Sequence, residues 1–373
     1  MAAYTTIDNP ELYFQTKLYT GNAGTNAITF DGSENMQPDW IWGKDRSGDR
    51  HFLADSVRGK KNTGYHLLCT NNNQGDGSNA PPDGITAIGT DGFTLGANTS
   101  NTDGGWSYEI NESPDSGQGN SGTYAAWCWK AGTTSGISGS PSITPAGYSF
   151  NATAGFSIIT WTGTGANATL PHGLGVAPAV IIIKNRDGGH WRVYHHRNTS
   201  APETDFLELS DTDATSDDNT AFNDTAPTST LFSVGSMDET NKNTEGMIAY
   251  CFAEKQGYFK AGSYTGNGNV DGPYVHLGFR PAFIIAKKSD GTSHWLMMDN
   301  KRDPFNVADA LVVANDSDSE SNWGTDRKID FLSNGFKCRS TSTEINNDDA
   351  KHVYMAFAES PFVNSNSVPN NAR

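Results

Sequence analysis

Long apolar runs are missing from this sequence. No stretch approaches the ~20 apolar residues that a membrane span needs, so membrane insertion is not expected. Paired cysteines are missing too: Cys69, Cys128, Cys251 and Cys338 are scattered, with no CxxC, which removes the common zinc and redox motifs. Buried free thiols are the expectation, as in a protein made in a reducing cytoplasm. Basic residues are scarce, with 26 Lys and Arg against 42 Asp and Glu and a net charge of −16. Such a surface repels phosphate, and no Lys/Arg face is clustered, so a nucleic-acid partner is not expected. The N-terminal stretch MAAYTTIDNPELYFQ has no basic patch leading into an apolar core, so no signal peptide is read there.

Catalytic motifs are also absent. There is no GxxxxGK[ST] and no HExxH. The nearest echo of a nucleophile elbow, SGISGS, lies in a loop-like run without a strand before it or a helix after it. Carboxylates are so plentiful that candidate pairs for glycoside cleavage carry little information. The sequence therefore reads as that of a non-enzyme.

What is present is glycine (40), aromatic residues (9 Trp, 13 Tyr, 18 Phe) and Asn, Asp, Ser and Thr between short apolar runs. Those polar residues supply the backbone angles of tight turns, so the profile is many short strands joined by turns.

One pattern is written three times. Pro38, Pro178 and Pro281 are each followed six positions later by a lysine, Lys44, Lys184 and Lys287. The intervening DWIWG, AVIII and AFIIA are strand-like. A polar turn follows (DRSGD, NRDGG, KSDGT), then an aromatic aligned as Phe52, Trp191 and Trp295, then an arginine aligned as Arg58, Arg197 and Arg302. Strand, glycine-containing turn and strand make a β-hairpin signature. Upstream, Tyr19, Trp161 and Tyr264 each precede a Thr-Gly pair, and Phe14, Phe156 and Phe259 lie five residues earlier. Downstream, YAAWCWKAG, MIAYCFAEK and VYMAFAESP align Trp129, Phe252 and Phe357, which sets Cys128 against Cys251.

This triplication predicts an all-β protein of three tandem antiparallel β-sandwich domains, jelly-roll-like, with small β-barrels as the alternative. The expected bounds are 1–132, a Gly/Ser/Thr/Pro linker at 133–147 that reads as semi-flexible, 148–256, 257–361 and an irregular tail at 362–373. The first unit departs most from the pattern and is the expected particle-attachment unit.

Candidate binding residues are aromatic. Trp191 with Arg197 and Trp295 with Arg302 suit a platform on which a sugar ring stacks beside a guanidinium, although hydrophobic filling also explains the positions. Trp40, Trp42, Trp106 and Trp323, unshared between the units, are the expected exposed recognition residues. Two acidic loops, SDTDATSDDN and NDSDSESN, place Asp211 and Asp213, and Asp316 and Asp318, at the alternate spacing of calcium ligands. Neither has the glycine and terminal glutamate of an EF-hand, and solvated loops are the simpler reading; no other cofactor is expected.

The text YTGNGNVDGPYVHLGFRPAFIIAKKSDGTSHW in the third unit and WTGTGANATLPHGLGVAPAVIIIKNRDGGHW in the second resembles an uncharacterised domain of marine tailed-bacteriophage structural proteins, including those of cyanobacterial phages. The resemblance implies a virion component with no active site to carry over. Tandem β-domains with polar, glycine-rich loops suit an exposed particle protein, so the expectation is a tail-fibre or adhesin subunit that contacts a host-surface glycan or protein and other phage virion proteins, working as a homo-oligomer, a trimer by resemblance. A capsid-decorating protein and a polysaccharide-degrading tailspike are the alternatives.

Overall fold

A computed structural model describes residues 3–76, 84–97, 106–114, 122–323 and 326–371. The chain is all-β, with several antiparallel sheets and, among the described residues, no closed barrel, so the sandwich expectation holds.

Each unit is built on the same four strands. A lead strand (Phe14–Thr20, Phe156–Thr162 or Phe259–Thr265) pairs with a closing strand (Thr123–Trp129, Gly246–Phe252 or Lys351–Pro361). The far side of the closing strand takes the first arm of a hairpin (Trp40–Asp45, Val180–Asn185 or Phe279–Lys288). The second arm (His51–Asp55, Trp191–His195 or Leu296–Asp299) completes the shared set, and the sheets of units two and three continue to seven and five strands. Phe14 lies opposite Trp129, Phe156 opposite Phe252 and Phe259 opposite Phe357, so the three sheets share one register. The alignment of Cys128 with Cys251 holds: they face Gln15 and Ser157 at the same step of the ladder. All four thiols are free and buried.

A smaller outer sheet covers each large one: Asn26–Ile28, Gly92–Leu95 and Ile85–Gly89 in unit one, Ala168–Pro171 and Leu231–Val234 in unit two, and Tyr274–His276, Gly335–Cys338 and Ile329–Leu332 in unit three. The repeated Thr-Gly pair has a steric cause. A Cβ on Gly21, Gly163 or Gly266 would lie 2.1, 2.0 or 2.1 Å from the carbonyl oxygen of Glu112, Lys242 or Asn347. Only glycine lets the lead strand leave its sheet that close to the segment entering the closing strand.

The units are not beads on a string. Trp129, Phe252 and Phe357 meet edge-to-face in a triangle, with ring centroids 6.3, 5.7 and 5.4 Å apart. This is the geometry that aromatic quadrupoles favour, and it marks a pseudo-threefold axis. Phe14, Trp40, Phe156, Phe259 and Phe283 pack around the triangle, so one hydrophobic core runs through all three units. The interiors of the first two sandwiches form separate clusters.

The joint between units one and two, expected from its composition to be semi-flexible, is fastened near both of its ends. Thr133 and Phe150 exchange backbone hydrogen bonds at 3.0 and 2.9 Å, the Ile143 amide donates to the Thr169 carbonyl, and the Ile143 side chain is buried. The tail also folds back, with Ser365 bonded to Asp8 and Asn370 to Ser333 and Ser360.

Candidate functional site: the collar between the units

The three units contact one another head to tail, and the repeated residues make the contacts. The Trp191 indole donates to the carbonyl of Cys69 in unit one at 2.8 Å. The Trp295 indole donates to Glu208 of unit two at 2.7 Å. In unit one the corresponding residue is His51, directly opposite Lys44 as Trp191 is opposite Lys184. His51 Nδ1 accepts from the Trp42 indole at 2.9 Å, so the proton sits on Nε2, which donates to Val313 of unit three at 2.8 Å. The ring closes. This corrects the alignment of Phe52 with the tryptophans: His51 replaces the indole and keeps its one essential function, an N–H aimed at the neighbouring carbonyl. Burial holds the His51 pKa well below the usual histidine range, so the ring is neutral.

Each repeated lysine is fully buried beside this contact. Lys44 Nζ donates to Asp45, Asp49 and, at 3.1 Å, Ser317 of unit three. Lys287 Nζ donates to Ser293 and, at 2.9 Å, Thr212 of unit two. Lys184 bonds the Gly189 carbonyl in its own turn. Lys184 and Lys287 also lie over the rings of Trp191 and Trp295, at 6.0 and 5.9 Å, as cation–π partners. Burial lowers all three ammonium pKa values to about 8.

Behind the lysines lies a four-residue corner at each interface. Between units one and two, Arg58 bonds Asp55 at 2.5 Å and Asp76 at 3.2 Å, and Arg186 of unit two reaches Asp76 at 2.8 Å. Between units three and one, Arg302 bonds Asp299 at 2.5 Å and Glu320 at 3.3 Å, and Arg46 of unit one reaches Glu320 at 2.9 Å. Between units two and three the same places hold His195, Asn198, Thr215 and Ser289. The structural counterpart of Arg58 and Arg302 is therefore Asn198, one residue beyond Arg197.

The structure places five of the eight candidate recognition residues away from solvent. Trp40 and Trp42 are 1% and 2% exposed, and Trp40 stacks on Tyr250 across an interface with centroids 4.4 Å apart. Trp191 and Trp295 are 0% and 2% exposed and Arg302 is locked in its corner, so none of the three forms part of an open platform. Trp323 is half-buried, between His294 and Arg327. Arg197 is exposed. Trp106 opens a short helix (Trp106–Asn111), and its side chain lies outside the described residues.

The acidic loops are used as lids on the neighbouring hairpin turn. Thr212 and Thr215 bond Ser293 and Ser289 of unit three, so Asp211 and Asp213 lie near the Lys287 ammonium. Ser317 bonds Lys44 of unit one, with Asp316 near that ammonium, while the Asp318 amide donates to the Asp316 carboxylate. In unit one Gln74 bridges to Gly188 in the same way. Asp211 clusters with His190 and Glu208, not with Asp213. A set holding an imidazole, with Glu208 already bonded to Arg192 at 2.5 Å, is a poor fit for an all-oxygen calcium shell.

Sequence comparison of the units missed Asn111, Asn241 and Asn346. All are fully buried and accept a backbone amide from the lead-strand exit, those of Asn22, Thr164 and Asn267. Each Nδ2 group donates to carbonyls of the loops it ties: Gly24 and Gly96, Ala166, and Asn269 and Ser340. Their signal is an Asn shortly before the closing strand, blurred in unit one by the greater sequence distance from Asn111 to Thr123.

Taken together these contacts define an all-β pseudo-trimer folded from one chain, whose repeated side chains hold its three parts to one another. Residues 9–361 match the family model described as "Domain of unknown function (DUF7483)", and the chain belongs to that family. The match covers all three units. No curated protein matches the sequence.

Proposed function

We propose that this chain is a non-enzymatic structural protein of a tailed-bacteriophage particle, a tail-fibre or adhesin subunit that contacts the host surface. One observation carries the reading: the residues written in triplicate are spent on inter-unit contacts. Trp191, Trp295 and His51 each donate into the neighbouring unit, and the three lysines beside them, with Arg58 and Arg302, are buried. Repetition of this kind builds a rigid body, and the phage-like repeat text favours a particle as its setting. The partners are then other virion proteins and a glycan or protein on the host envelope. Assembly into a homo-oligomer, a trimer by resemblance, would multiply weak contacts into avidity. A capsid-decorating role is the second reading, favoured by the pseudo-threefold axis, because one chain with three similar faces matches a threefold position on a shell.

The test is antibody-gold labelling of purified particles in the electron microscope, paired with incubation of the purified chain with host-envelope glycan. Label at the tail tip, without release of reducing sugar, is the expected result. Label over the shell moves the assignment to decoration, and particles without the chain overturn both. Sugar release that disappears on changing one carboxylate pair replaces the reading with a tailspike enzyme.

A further inference from the structure

The lead strand of each unit borders a groove against the neighbouring unit, and the three grooves are finished differently. In an antiparallel pair alternate residues turn both N–H and C=O away from the partner, so the outer row needs its own partners. In unit two that row is paired by an added strand from the joint, Gly147–Asn151: Gly147 lies opposite Thr160, Ser149 opposite Ile158 and Asn151 opposite Phe156. In unit three a backbone turn and two side chains cap it. Phe259 exchanges two 3.0 Å bonds with Lys255, the Ala261 amide donates to the Glu254 carboxylate, and the Ala261 carbonyl accepts from His196 Nε2, both at 3.2 Å.

In unit one the equivalent residue is Thr16, and among the described residues no strand pairs with the outer edge of Phe14–Thr20. The Thr16 hydroxyl, on a residue 4% exposed, is also buried without a partner. A groove of about 230 Å³ runs alongside, with Phe14, Ala282, Pro304 and Ala358 in its lining and Lys301 on its far wall. Lys301 occupies the place of Val57, the residue that meets the added strand in unit two, where a Cβ on Gly147 would lie 3.1 Å from Val57 Cγ1.

We propose that the groove beside Phe14–Thr20 is an acceptor site for one extended segment of a partner polypeptide, which adds as an antiparallel strand. The occupied groove of unit two supplies the pattern. The wall of unit three stands where unit one stands against Gly147–Asn151, so there is room for a single chain and not for the edge of a second sheet. The segment carries a small residue at the step facing Lys301, as Gly147 faces Val57, and small polar residues at alternate positions, as Ser149 and Asn151 do. It arrives on an arm rich in Gly, Ser, Thr and Pro, the composition of residues 133–146. Backbone bonds to Thr16 and Leu18 supply the attachment, and the groove lining supplies side-chain preference. This site stands independently of the particle assignment.

The experiment selects random decapeptides from a yeast-displayed library on the purified chain, then titrates the enriched peptides, made synthetically, against variants. Thr16→Pro removes the outward N–H and leaves the ladder to the closing strand intact, because that N–H points away from it. Binding at least tenfold weaker in Thr16→Pro, unchanged in Thr16→Val and unchanged in Ala261→Pro on the capped edge, is expected. If Thr16→Pro does not unfold cooperatively, Lys301→Trp, which fills the groove from its far wall, must produce the same tenfold loss. A selection that enriches no peptide, or peptides that bind the groove-blocked variant as tightly as the parent chain, overturns the proposal.

Discussion

The interface between units two and three and the interface between units three and one solve one packing problem with opposite chemistry. At the second, Arg302 joins Asp299 and Glu320, and Arg46 of the next unit joins Glu320. At the first, His195, Asn198, Thr215 and Ser289 fill the same four places without a formal charge: the Arg197 amide donates to His195 Nδ1 where the Lys301 amide donates to Asp299, and Thr215 bonds both Asn198 and Ser289. The lesson is that the corner is replaced as a set. A buried ion pair adds little over a neutral equivalent, but half of one is very costly, because the remaining charge has lost water and gained no partner.

The largest expected effect follows directly. Arg302→Asn alone leaves Asp299 buried and unpaired, and urea unfolding should show a loss of about 3–5 kcal/mol. Adding Asp299→His, Glu320→Thr and Arg46→Ser, which copies the neutral corner, should recover most of that loss. A single variant within 1 kcal/mol of the parent would mean that the two corners are not equivalent.

Next in size is the indole contact. Trp295→Ala should cost about 3–5 kcal/mol through the cavity that it leaves at the interface. Trp295→Phe keeps much of the volume and loses the bond to Glu208, so about 1–3 kcal/mol is expected from the carbonyl left without its donor. A Trp295→Phe chain as stable as the parent would show that the indole N–H contributes nothing, and equal losses for the two variants would show that the ring volume adds nothing beyond it.

Much of this plan was legible in the sequence, within a limit. Proline-to-lysine spacing and the paired aromatics located the three units and their strands, because a residue facing the axis must be apolar in every copy. Two positions slipped. His51 does the work of tryptophan with a different ring, so a search for aromatic letters passed to Phe52, and Arg197 drew the eye from Asn198. The facing of the units was not legible at all, since a repeat period reports likeness and not docking. Burial of Trp40 and Trp42 follows from that docking, because their cover is the next unit.

A smaller effect separates the corners by pH. Burial lowers the His195 pKa to about 3, while an unfolded histidine titrates near 6.5. The unfolded chain therefore binds the extra proton first, and stability attributable to His195 is full above pH ~6.5 and lost as pH falls toward 3. His51, His172 and His352 are lowered in the same direction, so the parent alone cannot isolate one ring. The stability of the parent minus that of His195→Asn should fall by about 1–3 kcal/mol between pH 6.5 and 4 in urea titrations. A difference independent of pH would place the imidazolium somewhere hydrated.

The smallest effect sharpens the comparison most, because it asks one arginine to be unimportant. Arg197 stands next to the corner residue Asn198, yet its side chain is exposed, while Arg58 and Arg302 have no exposed side-chain surface. Its groove, shared with Glu254, Lys260 and Tyr274, is open to water. Removing an exposed guanidinium returns its few interactions to solvent, so Arg197→Ala should leave the unfolding midpoint within about 0.5 kcal/mol of the parent. Arg302→Ala, a substitution of the same type, should be among the most damaging in the chain. A large loss from Arg197→Ala would mean that the pseudo-threefold correspondence places the corner one residue too late.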